Sequence, residues 1–105
     1  MQFLVIFLKD NSMDAKEIKY LRETIGLSQG DFANMLDTSV WSVSRWEQEV
    51  GNPSKQSLNR LKILSVILES ASKKEIDEFK AKLEKAIVMK SQLGVLKTLL
   101  EYARE

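Results

Sequence analysis

Apolar residues recur at helical spacing along most of the chain, and the breaks between the repeats fall on residues that start or stop helices. Ile18, Leu21 and Ile25 share one face, preceded by Asp14 with Glu17 three residues on. That pair predicts a capping box opening a first helix, and Gly26 predicts its left-handed end. Ser28, with Asp31 behind it, predicts a second helix of about two turns whose buried face is Phe32, Ala33 and Leu36. Asp37-Thr38-Ser39 then turns the chain and caps a third helix from Val40 to about Gln48, with Val43 and Trp46 inward. Gly51-Asn52-Pro53-Ser54 leads into a fourth helix ending near Ser70, with Leu58, Leu61, Leu64 and Leu68 as its core stripe.

A polar break at residues 70–74 precedes Ser72 and Glu75, which repeat the capping-box spacing for a fifth helix carrying Ile76, Phe79, Leu83 and Ala86. The apolar stripe then shifts phase to Leu96, Leu99, Leu100 and Ala103. This shift predicts a turn near Lys90 to Gly94 and a sixth helix to about Arg104, a single long helix being the alternative. The β-branched and aromatic run Phe3 to Leu8 reads as a short strand, apolar on both faces. Such a strand either pairs with its copy in a second subunit or docks on helices, unless Met13 is the functional start and the leader has no role. The expected fold is therefore all-α, a bundle of four to five helices with a C-terminal helical extension and a short N-terminal strand. Three segments follow: a leader at 1–12, a bundle at 13–71 and a C-terminal segment at 72–105.

Composition narrows the function. The 105 residues include no Cys and no His, which removes thiol nucleophiles, imidazole bases, disulfides and Cys/His zinc sites from this sequence. No Gly-rich phosphate loop is present, and Glu75, Asp77 and Glu78 scatter round one helix rather than converge on a metal. A binding protein without cofactor or metal, and not an enzyme, is the expectation. The apolar leader lacks the flanks of a signal peptide and is far too short to span a bilayer, so a cytoplasmic location without membrane contact is expected. Charge gives DNA binding no help. Residues 13–56 hold five basic against seven acidic side chains, a net of −2, and residues 57–105 hold ten against seven, a net of +3.

Local geometry does point to DNA. Two short helices joined by a tight turn, the second with an outer face of small, flat or polar residues, fit one helix into a groove about 12 Å wide. Leu27-Ser28-Gln29-Gly30-Asp31-Phe32-Ala33, then Ser39-Val40-Trp41-Ser42-Val43-Ser44-Arg45-Trp46-Glu47, then Asn52-Pro53-Ser54, resembles the lambda-repressor-like (XRE/Cro) helix-turn-helix family. Among its members the chain is most similar to small antitoxins and autorepressors.

The resemblance implies roles. Gln29 would contact phosphate and buttress the recognition helix, while Val40, Trp41, Ser44 and Arg45 would face the groove. Arg45 would read guanine through O6 and N7, or else simply pair with Glu49 one turn on. Trp41 or Val40 would meet a thymine methyl, Trp41 being equally suited to a protein partner, and Ser42 would bond a phosphate. Gln48, Asn52, Ser54, Lys55 and Gln56 would lie along the second strand's backbone. Trp46 belongs to the core. Two positions depart from the family: Asp37 stands where Gly is usual, and Glu49-Val50 where small or basic residues are. The implied protein is a repressor binding double-stranded DNA as a homodimer on a palindromic operator, with residues 13–71 as the DNA-binding domain and with the C-terminal helical segment 72–105, the Phe3 to Leu8 strand, or both supplying the dimer contact. The alternative is a protein-interaction module, an antitoxin or inhibitor gripping a toxin or other partner.

Overall fold

Side-chain caps set the helix boundaries. Asp14 accepts from the Glu17 amide while Glu17 accepts from the Asp14 amide, closing the expected box at the head of α1, Ala15–Ile25. Ser28, Ser39 and Ser54 each accept from the amide three residues ahead and start α2 (Gln29–Met35), α3 (Val40–Glu47) and α4 (Lys55–Ser70). Ser72 and Glu75 form the second capping box, opening α5, Lys73–Val88. α6 covers Gln92–Ala103. The computed structural model describes residues 13–103, and every regular element among them is a helix. The strand expected at Phe3 to Leu8 and the helix end at Arg104 lie outside the described residues.

The turns obey the same local rules. Gly26 takes φ +81° and ends α1, its amide bonding back to the Arg22 carbonyl. Asp37 takes the left-handed conformation that the family's usual Gly would supply, at φ 57°. The turn between α5 and α6 is tighter than expected. It occupies Met89 to Ser91 with Lys90 at φ 55°, and Gly94 is already helical. Ser91 explains this, because its hydroxyl accepts from the Gly94 amide at 2.8 Å and so caps the new helix. A Cβ on Gly94 would sit 3.2 Å from the Ala86 Cβ, so the missing side chain lets α6 close on α5.

One apolar core joins all six helices. Ile18, Leu21 and Ile25 of α1, Phe32, Met35 and Leu36 around α2, and Val43 and Trp46 of α3 meet Leu61, Leu64 and Ile67 of α4. Phe79 and Leu83 of α5 and Val95 and Leu99 of α6 complete the same cluster, so the C-terminal helices cover the bundle rather than build a core of their own. Two expected stripes are corrected. On α4, Leu61 and Leu64 are buried but Leu58 and Leu68 only half so, and Ile67, Ser57, Arg60 and Ser65 complete the inward face. α4 lies between α1 and α6, and contact on two sides widens its buried face. On α6, Val95, Thr98 and Leu99 turn inward while Leu100 is 51% exposed.

The polar side chains buried with the core have a defined task. α2 ends inside the protein, and its last carbonyls need donors. Gln92 donates to the Asn34 carbonyl at 2.8 Å, Arg60 to that of Met35 at 2.8 Å and Ser57 to that of Leu36 at 3.2 Å. Arg60 also donates to the Gln92 side-chain oxygen. The first residue of α6 thereby holds the turn between α2 and α3 in place.

Candidate nucleic-acid interface

The outer side of α3 follows from what its inner side must bury. Val43 and Trp46 point into the core, which leaves Val40, Trp41, Ser44, Arg45 and Gln48 on the opposite face, spaced as one helical stripe. Trp41 is 65% exposed and Val40 51%. Arg45 does not pair with Glu49: its guanidinium lies over the Trp41 ring, 4.5 Å from the centroid. Ser44 accepts from the Gln48 amide group at 2.9 Å, and the Ser42 hydroxyl is held by that of Ser39 at 3.1 Å.

A charged network behind α3 fixes its angle. Arg22 of α1 donates to both Glu47 oxygens, at 2.8 and 3.1 Å, and to the Leu27 carbonyl at 3.1 Å. Gln29, the first residue of α2, donates to the same Glu47 carboxylate at 3.0 Å. Three helices thus meet on one side chain. The bond to Glu47 holds the Arg22 guanidinium above its already high ordinary pKa, more than offsetting its partial burial. Gln29 therefore sits where a buttress of α3 must sit, with its amide group already engaged.

Sequence reasoning missed Arg22 and the role of Glu47. A signal was present: an acid in the last turn of a helix opposes the macrodipole, so Glu47 at the end of α3 needs a cation from elsewhere. Its partner lies 25 residues away and no spacing rule selects it.

The remaining site residues flank the stripe. Asn52 is exposed in the loop after α3, Ser54 caps α4, and Lys55 and Gln56 are exposed in its first turn. Gln56 reaches Asp37 of the α2–α3 turn at 3.5 Å. Glu49 turns the chain out of α3 with φ 64°, and Val50 beside it is 42% exposed. No cluster of three or more metal-ligating acidic side chains occurs among the described residues, and none of their helices is long and apolar enough to cross a membrane.

Residues 18–61, from the inward face of α1 to the second turn of α4, match the family described as Helix-turn-helix. No curated protein and no solved structure matches the chain. The caps Ser28, Ser39 and Ser54, the α2–α3 turn and the buttressed outer stripe all fall within the matched span. The match over residues 18–61 supports a lambda-repressor-like (XRE) helix-turn-helix, the module of a family of DNA-binding transcription regulators.

Proposed function

We propose that the protein is a sequence-specific repressor that binds a palindromic operator as a homodimer and regulates its own or a neighbouring promoter. The observation that carries this reading is the outward stripe of α3, Val40, Trp41, Ser44, Arg45 and Gln48, set on the Arg22–Glu47–Gln29 support. A short helix held at a fixed angle with an arginine outward has what a major-groove reader needs. Arg45 donates to guanine, Val40 and Trp41 meet thymine methyls, and Lys55, Gln56 and Asn52 follow the backbone. Two copies are required because α3 has only eight residues and reads too few base pairs for specific affinity of about 10⁻⁸ M or better.

Binding to the protein's own promoter DNA across a salt series, wild type against Arg45→Ala, tests this reading. Specific binding at physiological salt, weakened about tenfold or more by Arg45→Ala, is expected. Affinity equal to that for random DNA, unchanged in Arg45→Ala, refutes it. One observation favours a second reading, that of an antitoxin-like module gripping a protein. Trp41, Val40 and Val50 expose apolar surface on a segment of net charge −2.

A further inference from the structure

Arg60 is the one basic residue buried among the described residues, at 7% exposure, and it forms no ion pair there. A buried guanidinium is normally matched by a carboxylate, because taking the charge out of water costs more than neutral hydrogen bonds return. Its bonds to the Met35 carbonyl and to the Gln92 side-chain oxygen, at 2.8 and 2.6 Å, both leave from Nη1. The N–H groups on Nε and Nη2 bond to no described residue. Closing the end of α2 thus occupies one nitrogen of Arg60. A neutral donor suffices for that task, as Gln92 shows at the Asn34 carbonyl. The charge and the remaining donors are left over.

Arg60 lines a groove of about 480 Å³ between α4 and α6, with Lys55, Gln56, Asn59, Ile63 and Leu96. Lys55, Gln56 and Asn59 are exposed at its rim, and Ile63 and Leu96 are half-buried along its walls. The lining therefore holds cations, amides and apolar walls, and no acid. Asp37 touches the Gln56 amide at 3.5 Å but is not part of the wall. A concave site of this size with apolar walls and a few convergent polar groups has the make-up of a small-molecule site. Leu96 and Gln92 belong to α6, outside residues 18–61, so the groove is completed by a part of the chain that the helix-turn-helix match does not cover.

We propose that the α4–α6 groove binds a small organic anion, a carboxylate or phosphate group carried on an apolar body. The anionic group meets Nε and Nη2 of Arg60, whose fork presents parallel donors to two oxygens at once. Lys55 adds charge from the rim, Gln56 and Asn59 supply amide donors, and the apolar body lies against Ile63 and Leu96. Such a ligand provides the counter-charge that the protein withholds from Arg60. A phosphate fixed in a DNA duplex stays at the rim with Lys55 and Gln56, because a side chain of a residue 7% exposed lies too deep for it.

Titration of the full chain with benzoate, followed in proton–nitrogen correlation spectra, tests the site. Saturable shifts of the Arg60 Nε–H signal and of amides in α4 and α6 are expected, with a dissociation constant of about 1 mM or tighter. Benzamide has the shape without the charge and acetate the charge without the apolar body, and each should bind at least about tenfold more weakly. Lys55→Glu should weaken benzoate about tenfold, while Lys85→Glu on α5 should leave it unchanged. Arg60→Gln should abolish binding. Should that variant fail to fold, Lys55→Glu decides, since an acid in the exposed first turn of α4 is tolerated by the helix. Shifts that do not saturate, that benzamide reproduces, or that Lys55→Glu leaves at wild-type affinity overturn the proposal. So does a wild type that ignores benzoate while Arg60→Gln flattens the salt dependence of duplex binding, which would assign Arg60 to the DNA backbone. Benzoate binding that meets these criteria upholds the site whether or not the chain prefers any duplex, so the site and the DNA reading fail separately.

Discussion

Glu47→Ala isolates the support of α3. The Glu47 side chain is 5% exposed and accepts three hydrogen bonds, two from Arg22 and one from Gln29. The substitution leaves Arg22, itself 16% exposed, with its bond to the Leu27 carbonyl. Removing one partner of a buried ion pair costs about 3–5 kcal/mol. Water can reach part of the freed guanidinium, and that screening reduces the expected loss to about 2–3 kcal/mol. For a domain of this size the loss corresponds to a Tm lower by about 10–15 °C. The sign is diagnostic. An alanine replacing an acid in the last turn of an otherwise unsupported helix would be neutral or stabilising by about 0.5 kcal/mol, through better propensity and relief of the dipole. Chemical denaturation of Glu47→Ala, Arg22→Met and the double variant closes a thermodynamic cycle, in which a coupling of at least about 1.5 kcal/mol is expected. A loss under about 1 kcal/mol for Glu47→Ala, or single effects that add within about 0.5 kcal/mol, would refute the network as the support of α3.

Three further perturbations probe the turns and caps. Asp37→Gly should raise stability by about 0.5–1 kcal/mol in urea denaturation, because Asp37 holds φ 57° and gives up only the 3.5 Å contact with Gln56. Gln92→Ala should cost about 1–2 kcal/mol, since it removes the donor to the Asn34 carbonyl and the acceptor for Arg60. A variant as stable as wild type would show that α6 does not clamp the α2–α3 turn. Bonds from the Ser72 amide and hydroxyl hold the Glu75 carboxyl below its ordinary 4.5, so the stability it confers is complete above that pH and is lost as pH falls through the lower folded value. The difference in Tm between wild type and Glu75→Gln should therefore be constant above pH 4.5 and shrink below it.

Local rules made much of the protein legible. Caps at Asp14, Ser28, Ser39, Ser54 and Ser72 placed helix starts to the residue, because a cap acts within three or four residues and needs no tertiary partner. Periodicity placed the inward residues of α1 and α3 and most of those of α2 and α5, where one face meets the core, but it passed over the buried Met35 and counted Ile76, which is only half-buried. It misplaced α4, which is covered on two sides, and α6, where apolar residues all round carry no phase to say which side turns in. The outward stripe of α3 was legible for the same reason as its core face, one being the complement of the other.

What the sequence determined by itself was the set of helices, the α2–α3 turn and the residues free to face a groove, each a matter of short-range sterics and hydrogen bonding. Only the tertiary structure decided how those pieces are held. Arg22, Gln29 and Glu47 converge from three helices, Arg60 and Gln92 seal the end of α2 from across the core, and Arg45 lies against Trp41 instead of Glu49. Such contacts arise between residues far apart in the chain or between rival rotamers of near-equal local energy. Packing selects among them, and no periodicity in the sequence records the choice.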